Sequence, residues 1–409
     1  MLPALVSRAR CRRMGVMAMS PARVAFALGI VAAWLGACST FSGEGGPPTD
    51  DGGAEASAAD GPIGPDGGGE ASAVCVPSQP VVVAKATCGG DSNVNLAIDP
   101  NNCGACGRKC STCNDGLCPF EIVRPAAGGL TLTLTPTELI LGGSTAATFD
   151  RFPRDGGPGK TLFTFGANDF AEGAVVDANR LFLGAYRGVR EFVDDPDSGT
   201  YVIDRDTDVD RRVGFGKIGE ELFWATSTSA LVFMQTDGGS RRVYGDQAGG
   251  AVSTGVAADD KGVYWIRRTA DGGPPSEIRV RGADESVKTR LDGLEDPSAL
   301  VMDETDLYWV SVARKEVLRA SRTGTDRPVV IARWTDDAHP RATAAAVDAQ
   351  YVYWMLRNPS DAQALVLRAP KSCNGDVVTI VRQVAYSNLV LEGPFVYYAS
   401  LSTTFRVQR

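Results

Sequence analysis

The chain is 409 residues long and 44% apolar, with 47 glycines, 23 prolines and a formal net charge of −8. That length leaves room for one large all-β domain behind smaller segments, and the many turn formers suit short strands. The acidic balance, with no basic cluster beyond residue 23, excludes a nucleic-acid surface.

Residues 1–23 carry Arg8, Arg10, Arg12, Arg13 and Arg23 and no acid, and the apolar run VAFALGIVAAWL follows at 24–35. Twelve residues are too few to cross a bilayer as a helix but suit the hydrophobic region of a signal peptide. The run ends in Leu35-Gly36-Ala37-Cys38, which resembles a bacterial lipobox. That resemblance implies cleavage after residue 37, a diacylglycerol and palmitate-type acyl chains on Cys38, and export to the cell envelope. Ser39 resembles the class sorted to the outer membrane. An ordinary signal peptide ending at a chance cysteine is the alternative, and Met14, Met17 and Met19 are alternative starts.

Residues 38–74 read as the lipidated cysteine followed by a tether. Positions 39–74 hold seven acids, no bases and one aromatic, Phe41, with the near-repeats DGGAEASA and DGGGEASA. Such a segment cannot bury enough apolar surface to fold. As a flexible coil its reach is roughly 30–36 Å, enough to hold a domain clear of a membrane.

Seven cysteines fall within residues 75–118: Cys75, Cys88, Cys103, Cys106, Cys110, Cys113 and Cys118. Two Cys-x2-Cys pairs suggest zinc, but only three residues separate them, where zinc modules use a longer loop. Export favours disulfides, which small secreted domains use in place of a core. The stretch NCGACG-x2-C (102–110) resembles a short Cys-rich element found ahead of repeat domains in exported myxobacterial proteins. Seven is odd, and parity therefore brings in Cys373. Cys75 stands apart from the other six and is its expected partner, although spacing alone leaves the connectivity open. The module is expected to be dispensable for folding of residues 119–409.

From residue 119 to 409 the chain repeats. DETDLYW (303–309) recurs as DAQYVYW (348–354), DDKGVYW (259–265), DANRLFL (177–183) and EGPFVYY (392–398), with weaker copies at 135–141 and 218–224. The last residues of these segments are spaced by 42, 41, 41, 44, 45 and 44 positions. Each unit holds four strand-like runs, in the fifth SALVMD, LYWVSV, EVLRAS and RPVVIAR. Four antiparallel strands per unit of this length predict a seven-bladed β-propeller. The aspartate-turn-Tyr-Trp segments resemble YWTD and TolB-like propellers, although no unit carries the full YWTD in phase. The repeated aromatics predict core packing between blades, and Asp177, Asp259, Asp303 and Asp348 predict capped turns. The seventh unit ends without a fourth strand, so Phe120–Arg124 is predicted to supply it and close the ring.

Chemistry has few footholds. A single histidine, His339, excludes three-histidine zinc sites, and there is no phosphate loop, dinucleotide fingerprint or HExxH pair. Asp204, Asp206, Asp208 and Asp210 alternate in a segment expected to be a solvated loop between blades, and form the one candidate Ca²⁺ site. No motif requires a cofactor. Strand alternation puts the loops joining second and third strands on the same face as the loops between blades. Asp336, Asp337, His339, Arg268 and Arg357 are the candidate binding residues of that face, His339 being expected in solvent. The reading is a lipid-anchored, monomeric scaffold that meets a protein or glycan with its loop face, with no nucleic-acid partner. The alternatives are a propeller hydrolase, lactonase or lyase using carboxylates with Ca²⁺, and a purely structural envelope protein.

Overall fold

The computed structural model describes residues 85–409, apart from 115, 125–128, 144–147, 156, 165–170, 178–179, 186–187, 196–198, 207–211, 227–229, 246–254, 269–274, 325, 336–337, 340, 359–362, 374–375 and 386. Seven four-stranded antiparallel sheets follow one another in blades at 131–164, 171–206, 212–244, 256–294, 297–333, 341–384 and 390–408. First strands of neighbouring blades touch all the way round, so they line the centre and the ring is closed. In blade five the strands are Pro297–Met302, Asp306–Ser311, Glu316–Ser321 and Val329–Arg333, within two residues of the sequence expectation. Blade seven takes its fourth strand from Phe120–Arg124, which runs antiparallel to Thr404–Gln408 with Ile122 opposite Phe405.

The second-strand aromatics build the walls between blades. Trp224, Trp265, Trp309, Trp354 and Tyr398 are all almost fully buried, as are Leu141 and Leu183 at the matching positions of blades one and two. Each blade hides a large second-strand side chain against its neighbour, a ring at this position in blades three to seven and a leucine in blades one and two, which is why an apolar residue recurs there where the sequence otherwise drifts.

A second recurring device locks the blades at the hairpin face, where first and third strands end. Asp303 caps its own turn by accepting from the Thr305 and Asp306 N–H groups at 2.9 and 2.8 Å. Asp348 does the same for Gln350 and Tyr351, each at 2.7 Å. Their second oxygens look outward to the following blade. Asp303 pairs with Lys371 at 2.5 Å, and Asp348 with Arg409. Asp259 receives Arg322 through two bonds of 2.6 and 2.7 Å, and Glu392 receives Arg154 through bonds of 2.8 and 2.6 Å. All four cations stand immediately after a third strand, and each donates its own N–H to the first hairpin of its blade. One residue therefore binds its own blade through backbone and the preceding blade through charge. Between blades two and three, Thr236 holds that position and Lys217 takes Asp177 instead, at 2.9 Å. Burial alone would raise the Asp303 carboxyl, but Lys371, the turn N–H groups and the Tyr308 hydroxyl outweigh it and hold it well below the ordinary range.

The cysteine module is stapled by Cys88–Cys106, Cys103–Cys113 and Cys110–Cys118. Cys373 is also disulfide-bonded, to a cysteine outside the described residues. The module is not a detachable bead. Cys103 and Cys118 are buried in one cluster with Tyr353, Val366 and Ile380 of blade six and Tyr398, Phe405 and Val407 of blade seven. Arg108 crosses the same junction, donating to the Gln408 carbonyl at 3.1 Å. A single added carbon at Gly104 would lie 2.3 Å from the Gly116 carbonyl, so the loop closes around Arg108 only with glycine there.

Candidate functional site

The two faces of the ring differ. On the hairpin face sit the charge locks, the Cys373 hairpin and the module, whose chain passes from Cys118 straight into the closing strand. The other face carries the loops between blades and those between second and third strands.

On this loop face the described charges gather where blades four and five meet. Arg268, just past the second strand of blade four, pairs with Asp296 at 2.6 Å. One residue earlier, Glu295 lies 4.0 Å from the Arg314 guanidinium of blade five, and Arg314 also pairs with Glu316 at 3.1 Å. Glu316 is buried at the head of its strand and is held from the far side by Arg333 at 2.9 Å. Backbone strain concentrates here as well. Of six described non-glycine residues at positive φ, Asp296, Ala299 and Lys315 lie in blade five or the turn leading into it, at 43°, 53° and 54°. Side chains with a Cβ disfavour that region, so the surrounding bonds must hold them there. Val312 N–H donates to the Asp296 carbonyl, and Trp334 N–H to that of Lys315, each at 3.2 Å. Arg314 is half exposed and Arg268 is 43% exposed, so this rim presents two cations over a buried carboxylate.

The sequence-derived candidates separate. Arg268 belongs to this cluster. Arg357 ends the second strand of blade six, directly across the ladder from Arg341, which puts two cations side by side on the next rim position. His339 is buried, 9% exposed, rather than solvated. The loop that carries it starts at Trp334, itself buried against Trp354 with ring centres 6.2 Å apart, and so folds back onto the ring. Asp336 and Asp337 lie outside the described residues, as do Asp208 and Asp210. Asp204 and Asp206 are on the fourth strand of blade two, paired with Arg190 and Val189, and not in a loop between blades. The fourth strand is the one farthest from the ring's centre, so these two cannot line the channel. The pattern misled because alternating acids are compatible with an outer strand as well as with a loop. Among the described residues, the one group with metal-ligand spacing is Cys103, Cys110 and Cys118, and all three are consumed by disulfides. Glu295, Arg314 and Glu316 were not singled out by sequence. The one signal for them was their clustering in short turns of the same repeat.

No protein-family model matches the chain, and no curated protein matches it. Among solved structures, a virginiamycin B lyase from Staphylococcus aureus is 10% identical, with 71% of this chain and 99% of that chain covered at a TM-score of 0.55. A chain of a mitotic checkpoint complex is also 10% identical, with 71% and 93% covered at a TM-score of 0.52. Identities this low speak of fold alone, and they agree with the topology above: the chain folds as a seven-bladed β-propeller.

Proposed function

We propose that this protein is an exported, lipid-anchored scaffold of a bacterial envelope, and that its loop face binds a protein or a glycan. The observation that carries the proposal is the sidedness of the ring. The module, the closing strand's entry and the disulfide-bonded Cys373 all lie on the hairpin face, which leaves the loop face clear of them. Variable loops on a rigid ring are where recognition is built. In this reading Cys75 is the partner of Cys373, since Cys11 leaves with the signal peptide and Cys38 carries the lipid. The resemblance to YWTD-type blades fits a binding role, which needs no cofactor and suits a monomer.

Cells fed a clickable fatty acid are expected to label the parent protein and not Cys38→Ser; equal labelling of both would remove the anchor from the proposal. For the face itself, Arg268→Glu with Arg314→Glu is expected to abolish capture of the natural ligand from envelope fractions or glycan arrays. The Arg268–Asp296 pair is partly exposed and contributes little to stability, and the buried Glu316 keeps Arg333 when Arg314 is lost, so the fold should persist. Arg241→Glu, in a hairpin of the opposite face, should bind like the parent. If loss followed Arg241→Glu instead, the binding face would be the wrong one.

A further inference from the structure

The junction between the module and blades six and seven holds more positive charge than it balances. Arg368, on the third strand of blade six, is only 6% exposed and stacks over the Tyr351 ring at 4.3 Å. Among the described residues it meets no carboxylate, and its Nε is shut off from solvent with no acceptor. Arg108, from the module, is 3% exposed. Its Nη atoms reach only the neutral carbonyls of Cys103, Gly116 and Gln408, and its Nε too is buried without an acceptor. The two side chains approach the same ring: Arg368 is directly across the ladder from Tyr353, and Tyr353 packs with Cys103 and Cys118 of the module. A third cation, Arg409, lies 6.0 Å from the centre of that ring, but Asp348 answers its charge.

Three guanidinium groups thus converge with one carboxylate. An uncompensated buried charge is costly, and two side by side cost more because they repel. Arg108 registers the strain: burial, and then the nearby Arg368 charge, pull its pKa down to about 10. Elsewhere in this protein buried arginines are matched with acids, as Arg322 is with Asp259. The planar, rigid fork of a guanidinium suits an oxyanion bonded through two oxygens.

We propose that Arg108 and Arg368 form a buried oxyanion site between the module and the propeller, taking a carboxylate or phosphate group. Two sources share that chemistry: a free anion such as inorganic phosphate, and a carboxylate from the acidic 39–74 segment, which carries seven acids and no base. Occupancy would cement the module to the ring.

The test is thermal unfolding of the full mature chain carrying Cys38→Ser, in chloride buffer, with inorganic phosphate titrated in. A free-anion site raises Tm by on the order of 5 °C over a hundredfold range of phosphate. Arg368→Met, which severs no hydrogen bond between described residues, removes that response without lowering Tm in chloride, whereas Arg341→Gln on the opposite face keeps it. If the tether fills the site, the parent is unresponsive, and a variant with all seven tether acids changed to Asn or Gln gains the phosphate response. The proposal is overturned if neither chain responds, or if Arg368→Met responds as its parent does.

Discussion

A mature chain cut back to residue 125 is expected to aggregate, whereas one that keeps Phe120–Arg124 and loses only 75–118 is expected to remain a soluble ring of lower stability. The first truncation removes the strand that covers Thr404–Gln408. That loses a five-residue ladder, at about 1 kcal/mol per net hydrogen bond, and bares an edge ready to pair with another chain. Phe120 also leaves the Phe405 ring, which it meets edge-on at 5.5 Å. The second truncation keeps the ladder but uncovers Ile380, Tyr398 and Val407 where Cys103 and Cys118 had packed, and strips Cys373 of a partner upstream if Cys75 is that partner. Size-exclusion chromatography with denaturant midpoints checks both. A monomeric, cooperatively folding 125–409 fragment would refute ring closure by this strand, and a 119–409 fragment as stable as the parent would refute the module's share in the core.

The closure was legible because a repeat that stops one strand short leaves a countable vacancy, and 119–125 reads like the other fourth strands. The blade walls were legible because one large apolar residue per unit, a ring in five of the seven, must fill the same gap. The locks were only half legible. Asp303 and Asp348 announce a turn, but their partners Lys371 and Arg409 lie 68 and 61 residues away and follow no motif beyond standing after a third strand. The module's burial was hidden for a similar reason. Cysteine spacing speaks of internal staples and is silent on which apolar surface the staples cover. The loop face was the least legible part. Its order depends on contacts such as Arg268 with Asp296, made across two blades by residues with no repeat signature.

Asp259→Asn should be among the most damaging single substitutions on the surface of the ring, costing about 3 kcal/mol, while Arg322→Met should cost distinctly less. The asymmetry follows from where each partner sits. The Arg322 side chain is 3% exposed and that of Asp259 is 28% exposed. Removing the acid strands a buried guanidinium with only the Asp303 and Glu304 carbonyls and the Tyr264 face for company; removing the base leaves a carboxylate that water can reach. Asparagine still offers an oxygen to the Lys261 N–H, so the turn cap is preserved and the loss reports on charge alone. The same lock predicts acid behaviour. Burial raises the Asp259 carboxyl, but Arg322 and the Lys261 N–H outweigh that and leave it below its ordinary value, and Glu392 is lowered chiefly by Arg154. A carboxyl whose folded pKa is depressed contributes stability above its unfolded value, near 4, and loses it as pH falls through the folded value. Parent stability should therefore decline below about pH 5, and the decline should be shallower in Asp259→Asn because one linked proton is gone. Urea midpoints measured from pH 7 to pH 3 read both effects. An identical pH slope in the two proteins would mean that the lock is broken in solution, and a larger loss for Arg322→Met would reverse the assignment of the buried partner.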